Sequence, residues 1–562
     1  MIINYIKVLI ITISLFYPNL LYSKTTNFGD FNSKSVSSYF SALISYNNQK
    51  NINALNFFNK SKSLIGIHEP YLKNYIYSLV LNKKIIKAIK EIKNNVKKKD
   101  SDFFESYLLL ILESYINKNY KNADKYLDNL ASLQKNGTIE VVIYDALNNF
   151  SYLFKEKKIK LNQNNYGNLS LINRTLQNCY LGKNETDDYF LNIINNDETD
   201  YSRYIYFYAS YLIENKKFEE AKKIIKQIDY LNSSLLTSQA KKWIEEKKFE
   251  KFNEIFSCKN EIDILGEFFF LISTIYSSQS DYEKSNFFLN ISDYLNPKFK
   301  FNHSLQVENY FQIENYKQSK KSLLHLNNDE LIYYWYGVKK KAMIILKESN
   351  DLDSFNFINS KFQKIKEPST KILFDMANIS KNFKKYELAI EYYNQVLKEE
   401  KFNPTTYADI LYRRGSCYER LGNFEDSDKD LLESLKVNPN DAYVLNYLAY
   451  SWLERDHKID ISIQMLEKAY EIKKNDPFIL DSIGWAYYLI KDINKAEKFL
   501  NRAIQLMPED PIVNDHYGDI LWKMNRKLQA KYYWKNTLKF KDTKSEMKKD
   551  LRNKILNGLS EL

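Results

Sequence analysis

The chain has 562 residues and a formal net charge of +12. This length exceeds that of one ordinary domain, and the 12 Gly and 9 Pro are too few for a turn-rich all-β protein or for flexible linkers. The Lys residues are scattered along the chain instead of forming a basic stripe, so no nucleic-acid partner is predicted.

The three cysteines, Cys179, Cys258 and Cys417, have no CxxC or metal-ligand spacing. This spacing excludes a dense disulfide scaffold and a zinc finger. Two interpretations stay open. Either one pair bridges in an oxidising compartment, or all three are buried, unpaired thiols.

The chain begins with MIINYIKVLIITISLFYPNLLYS, in which Lys7 precedes an apolar run that Pro18 ends. The run is short for a membrane span and has the length of a signal-peptide core. We therefore predict a signal peptide over residues 1–23, a linker over 24–33 and export to the periplasm of a Gram-negative bacterium. The alternative is an uncleaved helix over residues 5–22 that tethers the chain to the membrane.

After the linker, small residues recur at a spacing typical of paired helices. Ala42 and Ala54, for example, occupy positions 8 and 20 of a repeat of about 34 residues. The pattern is weak before residue 370. We predict degenerate helical repeats over 34–200 and divergent repeats over 201–366.

The pattern is clearest over Asp476–Pro511. With Pro477 as position 1, positions 4, 7 and 11 lie on one face of a first helix, and positions 8 and 20 are small where two antiparallel helices meet. Positions 24 and 27 face back from the second helix, and a proline at position 32 ends it. These positions are occupied by Leu480, Ile483, Tyr487, Gly484, Ala496, Leu500, Ala503 and Pro508.

This set of residues resembles the signature of the tetratricopeptide repeat (TPR). The predicted fold is all-α, a TPR-type α-solenoid in which antiparallel helix pairs stack into a right-handed superhelix. We predict a well-formed array over 367–543. A polar helix over 544–562 is expected to cap it, because the last apolar face would otherwise be exposed.

Several motifs, NYLAYSWLE, ILDSIGWAYYLI and DHYGDILWKM, resemble the exported TPR proteins of proteobacteria. The N-terminal stretch SSYFSALISYNNQKNINALNFF is similar to the opening repeat of that group. The resemblance implies an envelope adaptor. One kind of adaptor in this group delivers substrates to a periplasmic carboxyl-terminal-processing protease.

No motif for catalysis or for a cofactor stands in the sequence. The five histidines form no HExxH or other paired spacing, and GxGxxG, GxxxxGK[ST] and GxSxG are absent. We therefore predict a protein that is not an enzyme, with no catalytic residues, no metal and no cofactor. A carbohydrate-acting enzyme built as a helical toroid is the alternative that a sequence cannot test.

In TPR arrays, positions 2, 5, 9 and 12 of the first helix point into a concave groove. Here these positions mix aromatic, Asp and Asn side chains and lack Lys and Arg, so the expected partner is a protein or peptide with apolar side chains and some positive charge. For each aromatic, packing against a neighbouring repeat is the alternative. The predicted groove residues are Tyr412, Tyr443, Asn446, Tyr450, Phe478, Asp481, Trp485, Tyr488, Asp515, Asp519 and Trp522.

Two functional hypotheses follow. The first is a non-catalytic periplasmic scaffold or adaptor that binds protein partners and supports cell-envelope assembly or proteolysis. The second is a membrane-tethered assembly factor for polysaccharide export or secretion, in which the membrane is reached only through the N-terminal segment. Under either hypothesis, terminal repeats can pair two copies of the chain into a homo-oligomer.

Overall fold

The computed structural model describes residues 32–559, apart from several short stretches. The predicted signal peptide and most of the predicted linker therefore lie outside the described residues. The described residues contain helices and no β-strand, which confirms the predicted all-α class. The stretches left out are 96–100, 136, 196–201, 227, 229–230, 232, 327–329 and 400–401.

The chain forms two compact units. The described residues of the first unit fall within Met1–Ile228 and Ser233–Gly337. Those of the second fall within Asp229–Asn232 and Val338–Leu562. The division of the repeats that the sequence analysis gives at residues 200 and 366 stays a prediction.

The first unit is built from successive helices with short turns. Its helices are α1 (Ser33–Asn47), α2 (Asn51–Lys60), α3 (Glu69–Leu81), α4 (Ile85–Asn95), α5 (Phe104–Ile116), α6 (Tyr120–Ala131), α7 (Ile139–Glu156), α8 (Asn168–Leu181), α9 (Thr186–Ile194), α10 (Ser202–Glu214), α11 (Phe218–Lys226), α12 (Leu235–Glu245), α13 (Glu250–Ile255), α14 (Glu261–Ser278), α15 (Tyr282–Leu295), α16 (His303–Gln312), α17 (Tyr316–Ser322) and the start of α18 (Leu331–Glu348). Short 3₁₀ turns cover Lys62–Leu64, Lys300–Asn302 and Leu323–His325.

The second unit continues from α18 as a regular series of helix pairs. Its helices are α19 (Asp351–Phe362), α20 (Thr370–Asn382), α21 (Tyr386–Glu399), α22 (Pro404–Arg420), α23 (Phe424–Val437), α24 (Ala442–Glu454), α25 (Ile459–Ile472), α26 (Pro477–Leu489), α27 (Ile493–Leu506), α28 (Pro511–Lys523), α29 (Lys527–Thr537) and α30 (Ser545–Asn557).

One buried small residue marks the second helix of hairpins in both units. In each helix of this set the fourth residue is Ala or Ser, and its exposed fraction is at most 1%. At such a position only a small side chain lets two helix backbones approach closely. The set comprises Ala54, Ala88, Ala123, Ala221, Ser285, Ser319, Ser354, Ala389, Ser427, Ser462, Ala496 and Ala530.

The hairpin of α18 and α19 keeps this register although its sequence matches the repeat poorly. Ser354 Oγ donates a hydrogen bond of 2.8 Å to the carbonyl of Ala342, twelve residues earlier. Ser319 Oγ makes the equivalent bond of 3.0 Å to Val307. In these two hairpins the serine hydroxyl is therefore satisfied by a carbonyl of the facing helix.

The hairpin of α14 and α15 packs against the N-terminal helices of its own unit. Asn290 Nδ2 donates to the carbonyls of Val80 and Leu81 at the end of α3, at 3.0 and 3.3 Å. The rings of Tyr77 and Phe287 lie 4.5 Å apart. These contacts leave part of the N-terminal helical surface covered by the chain itself.

The start of α14 extends this contact to α6 and α8. Glu261 accepts hydrogen bonds of 2.6 Å from the hydroxyls of both Tyr120 and Tyr180. A disulfide joins Cys179 in α8 to Cys258, just before α14. Cys417 is buried and unpaired.

Gly484 provides a test of the close helix crossing in the second unit. A Cβ atom there would lie 2.6 Å from Leu500 Cγ and 3.2 Å from Leu500 N. We expect Gly484→Ala to lower the free energy of unfolding by about 1–3 kcal/mol, because overpacking outweighs the better helix propensity of Ala. Urea unfolding followed by circular dichroism measures this change.

Gly337→Ala is the matched control. Gly337 also lies inside a helix, but no atom lies within 4 Å of an added Cβ. We expect this variant to be as stable as the wild type or slightly more stable. Equal losses in the two variants would contradict a specific crossing at Gly484.

Asn290 tests the internal contact of the first unit. We expect Asn290→Ala to destabilise the protein by about 1–3 kcal/mol, because the Leu81 carbonyl at the end of α3 loses its side-chain donor and the buried amide of Gln306 loses its acceptor. Asn48→Ala serves as the control, since Asn48 Nδ2 bonds only the exposed Ile44 carbonyl of its own helix, at 2.8 Å. Thermal unfolding compares the two variants. Equal melting temperatures would contradict the proposed contribution of Asn290 to stability.

Candidate partner-binding groove

Four successive first helices of the second unit, α22, α24, α26 and α28, enclose one pocket of about 240 Å³. We call it the groove pocket. It is lined by Glu419, Arg420, Asn446, Tyr447, Tyr450, Ser451, Glu454, Phe478, Asp481, Ser482, Asp510, Ile512 and Val513.

The same N-terminal cap starts three of these helices and explains their equivalent positions. Asp441, Asp476 and Asp510 each accept two backbone N–H bonds from the first turn of α24, α26 and α28. A carboxylate at this site satisfies free donors and meets the positive end of the helix dipole. In α26 and α28 a proline follows the cap, which suits the first helical position.

Four of the predicted groove residues come together in the groove pocket: Asn446, Tyr450, Phe478 and Asp481. Phe478 is 57% exposed although it is a large apolar side chain. Asn446 Oδ1 and Ser451 Oγ are buried and have no hydrogen-bond partner among the described residues. Buried polar atoms are normally paired, so these two are the atoms that a bound chain would be expected to satisfy.

The charge of the groove pocket is predominantly negative. Carboxylates of Glu419, Glu454, Asp481 and Asp510 line it, against the single guanidinium of Arg420. Burial, together with the charges of Glu454 and Asp481, raises the pKa of Tyr450, so this hydroxyl stays protonated. A positively charged group is therefore favoured in the pocket.

Trp485 and Tyr488 pack at the inter-repeat contact beside the groove pocket and do not line it. The ring of Trp485 stacks on His516 at 4.0 Å and on Tyr488 at 4.8 Å. His516 Nδ1 lies 3.0 Å from Asp481 Oδ1, which links α28 to α26. The sequence analysis gave packing against a neighbouring repeat as the alternative to lining the groove. Trp485 and Tyr488 take that alternative position.

The chain's own C-terminal helix covers the predicted residues of the last repeat. Lys554 Nζ lies 2.8 Å from Asp515 Oδ1 and 2.9 Å from Asp519 Oδ2. Trp522 packs against Gly558, where an added Cβ would lie within 2.8 Å of three indole atoms. The positive charge expected to meet these two aspartates is thus supplied by α30.

The two remaining predicted residues lie outside the groove pocket. Tyr412 lines a neighbouring cavity with Asp409 and Asp441, and its ring lies 5.8 Å from that of Tyr447. Tyr443 is 47% exposed.

Several lining residues are absent from the predicted set. Glu454 follows the predicted residue Tyr450 by one helical turn, and Arg420 follows Ser416, position 9 of the repeat that starts at Ala408, in the same way. Residues four apart share a helix face, so the helical period itself could have identified them. The predicted groove positions lack Lys and Arg, but the groove pocket also contains Arg420, which lies outside those positions.

Among the helices that the structure describes, none is long and apolar enough to cross a membrane. The described residues also contain no cluster of His, Cys, Asp and Glu side chains that could hold a metal ion.

The fold and the groove pocket define a helical-repeat array that presents an open surface. Residues 370–403, 408–441 and 479–510 match the family model of the tetratricopeptide repeat. The second unit therefore contains tetratricopeptide repeats, as predicted.

Curated relatives match the chain over short segments. A TPR repeat-containing protein of Pseudomonas aeruginosa, PA4667, is 30% identical over 111 residues, which are 20% of this chain and 19% of the relative. A TPR repeat-containing protein of Methanocaldococcus jannaschii, MJ1428, is 28% identical over 137 residues, 24% of each chain. The chain thus spans about a fifth to a quarter of the length of these relatives.

Solved structures also resemble part of the chain. MamA 41-end from Desulfovibrio magneticus RS-1 is 17% identical with a TM-score of 0.27, over 32% of this chain and 99% of that one. TTC0263, a thermophilic TPR protein in Thermus thermophilus, is 16% identical with a TM-score of 0.30, over 34% of this chain and 100% of that one.

The pair of His516 and Asp481 makes stability depend on pH. Burial lowers the pKa of His516, but the charge and hydrogen bond of Asp481, with Asp515 and Asp519, outweigh it and raise the pKa above 6.5. A raised histidine pKa stabilises the fold fully below the unfolded value, and this stabilisation is lost as pH rises through the folded value.

Asp519 acts in a lower pH window. Burial and the charge of Asp515 raise its pKa from 3.8 to about 6 against the attraction of Lys554, so its destabilising effect develops between these values. Because the His516 pKa is raised, we expect wild-type stability to fall as pH rises above about 6.5, and His516→Asn to flatten this fall. Urea unfolding over a series of neutral and mildly alkaline pH values measures it, and parallel curves for the two proteins would contradict the assignment.

Proposed function

We propose that this protein is a non-catalytic periplasmic scaffold that binds a segment of a protein partner in the groove pocket. Tetratricopeptide arrays are a protein-interaction fold, and the matched repeats include most of α22 and most of α26. One observation carries the proposal. The groove pocket combines exposed apolar side chains with two buried polar atoms, Asn446 Oδ1 and Ser451 Oγ, that are unpaired among the described residues.

The lining of the groove pocket favours a particular partner chemistry. Phe478 and Ile512, which are 57% and 50% exposed, offer apolar contact area. The carboxylates of Glu454 and Asp481 favour a Lys or Arg side chain beside it. Asn446 can pair with backbone groups of a bound segment, as amides do through a donor and an acceptor.

The compartment is part of the proposal. The disulfide between Cys179 and Cys258 supports an oxidising environment, in which such bonds persist. The apolar run of the first 23 residues, which lies outside the described residues, supports export on separate grounds. In the periplasm the scaffold would serve envelope assembly or would deliver substrates for proteolysis.

Binding of two defined peptides tests the groove pocket. We expect the capped peptide Ac-LKLKL-NH₂ to bind the purified protein and Ac-LELEL-NH₂ to bind at least about tenfold more weakly, because the pocket is acidic. Added salt should lower the affinity for the first peptide, since part of the attraction between peptide and pocket is electrostatic. Isothermal titration calorimetry measures both affinities.

Substitutions locate the binding site. Phe478→Ala and Asn446→Ala should each lower the affinity for the lysine peptide by about tenfold, since side chains at the centre of an interface contribute most of its binding energy. Leu528→Ala is the control, because Leu528 is 88% exposed and lines no part of the groove pocket. Equal binding of both peptides, or equal affinity of all three variants, would refute the assignment.

The fate of the N-terminal segment separates the periplasmic proposal from the membrane-tethered alternative. Mass spectrometry of the protein from fractionated cells should find a mature chain that starts near Lys24, in the periplasmic fraction and with Cys179 bridged to Cys258. Recovery of the chain with Met1 in inner membranes would favour the tethered assembly factor instead.

A further inference from the structure

The first unit contains a small cavity that the proposed function does not use. It has a volume of about 110 Å³ and lies where the start of α2 and the turn after α3 meet α16 and α17. This is the liquid volume of roughly three or four water molecules. Sites for drug-sized ligands measure about 300–1,000 Å³, so this cavity fits a small ion or a single functional group. We call it the cationic pocket.

Three cationic or titratable side chains converge on the cationic pocket, namely Lys83, Lys321 and His325, and no carboxylate of the described residues lines it. The nearby Asp293 is shared, at 3.1 Å from Lys83 Nζ and 3.2 Å from His303 Nε2. Lys321 has no ion-pair partner within the described ranges. The local balance of charge therefore favours an anion.

A tyrosine adds a donor to the wall. Tyr310 is 8% exposed and lines the cationic pocket. Burial raises the pKa of Tyr310 to about 12, so the hydroxyl keeps its proton. The neighbouring Gln306 and Ser322 bond each other at 3.2 Å and are buried, which gives the wall a fixed shape.

We propose that the cationic pocket binds a phosphate group. Its oxygens would accept hydrogen bonds from the Tyr310 hydroxyl and from the ammonium groups of Lys83 and Lys321, which supply charge-assisted bonds. A wider cavity of about 1030 Å³ shares Lys321 with the cationic pocket and is also lined by Lys50, Lys317 and the single carboxylate of Glu314. This outer space admits the body of a phosphomonoester, while free phosphate needs only the inner one.

Phosphate in the cationic pocket would also act on the fold of the unit. The lining joins the turn after α3 to α16 and α17, elements distant in sequence. A ligand that binds only the folded state stabilises it according to its concentration and affinity. Occupancy would therefore raise the melting temperature of the first unit.

His325 reports directly on occupancy. Burial and the charges of Lys83, His303 and Lys300 lower its pKa, against the opposing effect of Asp293. A bound dianion offsets the repulsion from these cations. The titration of His325 should then move to higher pH.

The test uses the full-length protein with ¹³C-labelled histidine, titrated with inorganic phosphate at constant ionic strength. We expect the His325 resonance to shift and its titration midpoint to rise, while His457 in the second unit stays unchanged. A parallel titration with glycerol 3-phosphate distinguishes the source. Tighter binding of the ester identifies a phosphomonoester, and equal binding identifies free phosphate.

Variants make the assignment specific. Lys321→Gln and Tyr310→Phe should each weaken phosphate at least about tenfold, whereas Lys90→Gln, at an exposed lysine outside the cavity, should leave affinity unchanged. Far-ultraviolet circular dichroism confirms that each variant is folded. The absence of any His325 shift, or an equal loss in Lys90→Gln and Lys321→Gln, would overturn the proposal.

Discussion

The close crossing of two antiparallel helices is the constraint on which the rest of this structure depends. In hairpin after hairpin the fourth residue of the second helix is Ala or Ser, and it is fully or almost fully buried. A larger side chain there would push the two helices apart and expose the apolar faces that they bury against each other. Because the same crossing recurs, successive first helices of the second unit stand in equivalent positions. That alignment brings α22, α24, α26 and α28 to one pocket.

The two units differ in what covers their helices. In the first unit the hairpin of α14 and α15 lies against α3, α6 and α8, and Asn290 and Glu261 satisfy polar groups that would otherwise face solvent or a partner. In the second unit the end of the array is covered by α30, through Lys554. The groove pocket is the part of the predicted groove that α30 leaves uncovered in the second unit. Function is therefore sought at Asn446 and Phe478, where apolar and polar groups are left exposed or unpaired.

The fold could be predicted from the sequence because the residues that define it act within a single helix hairpin. Gly484 and Ala496 must be small, and Asp476 must cap a helix, whatever surrounds the hairpin. The residues that line the groove pocket were predicted less accurately. Asn446, Tyr450, Phe478 and Asp481 share a pocket, while Asp515 and Asp519 bind Lys554, some 35 residues further along the chain. Helical periodicity places a residue on a face, but it does not show which distant segment covers that face.

The sequence by itself determined the all-α class, the repeat register and the helices of the C-terminal array, because each follows from spacing within about 34 residues. Tertiary structure alone decided which acidic positions are free, which cysteines are bridged and which cavity collects Lys83, Lys321 and Tyr310. Those outcomes depend on contacts between residues tens to hundreds of positions apart. Such contacts are fixed by how hairpins stack on one another, and no local pattern of residues encodes that stacking.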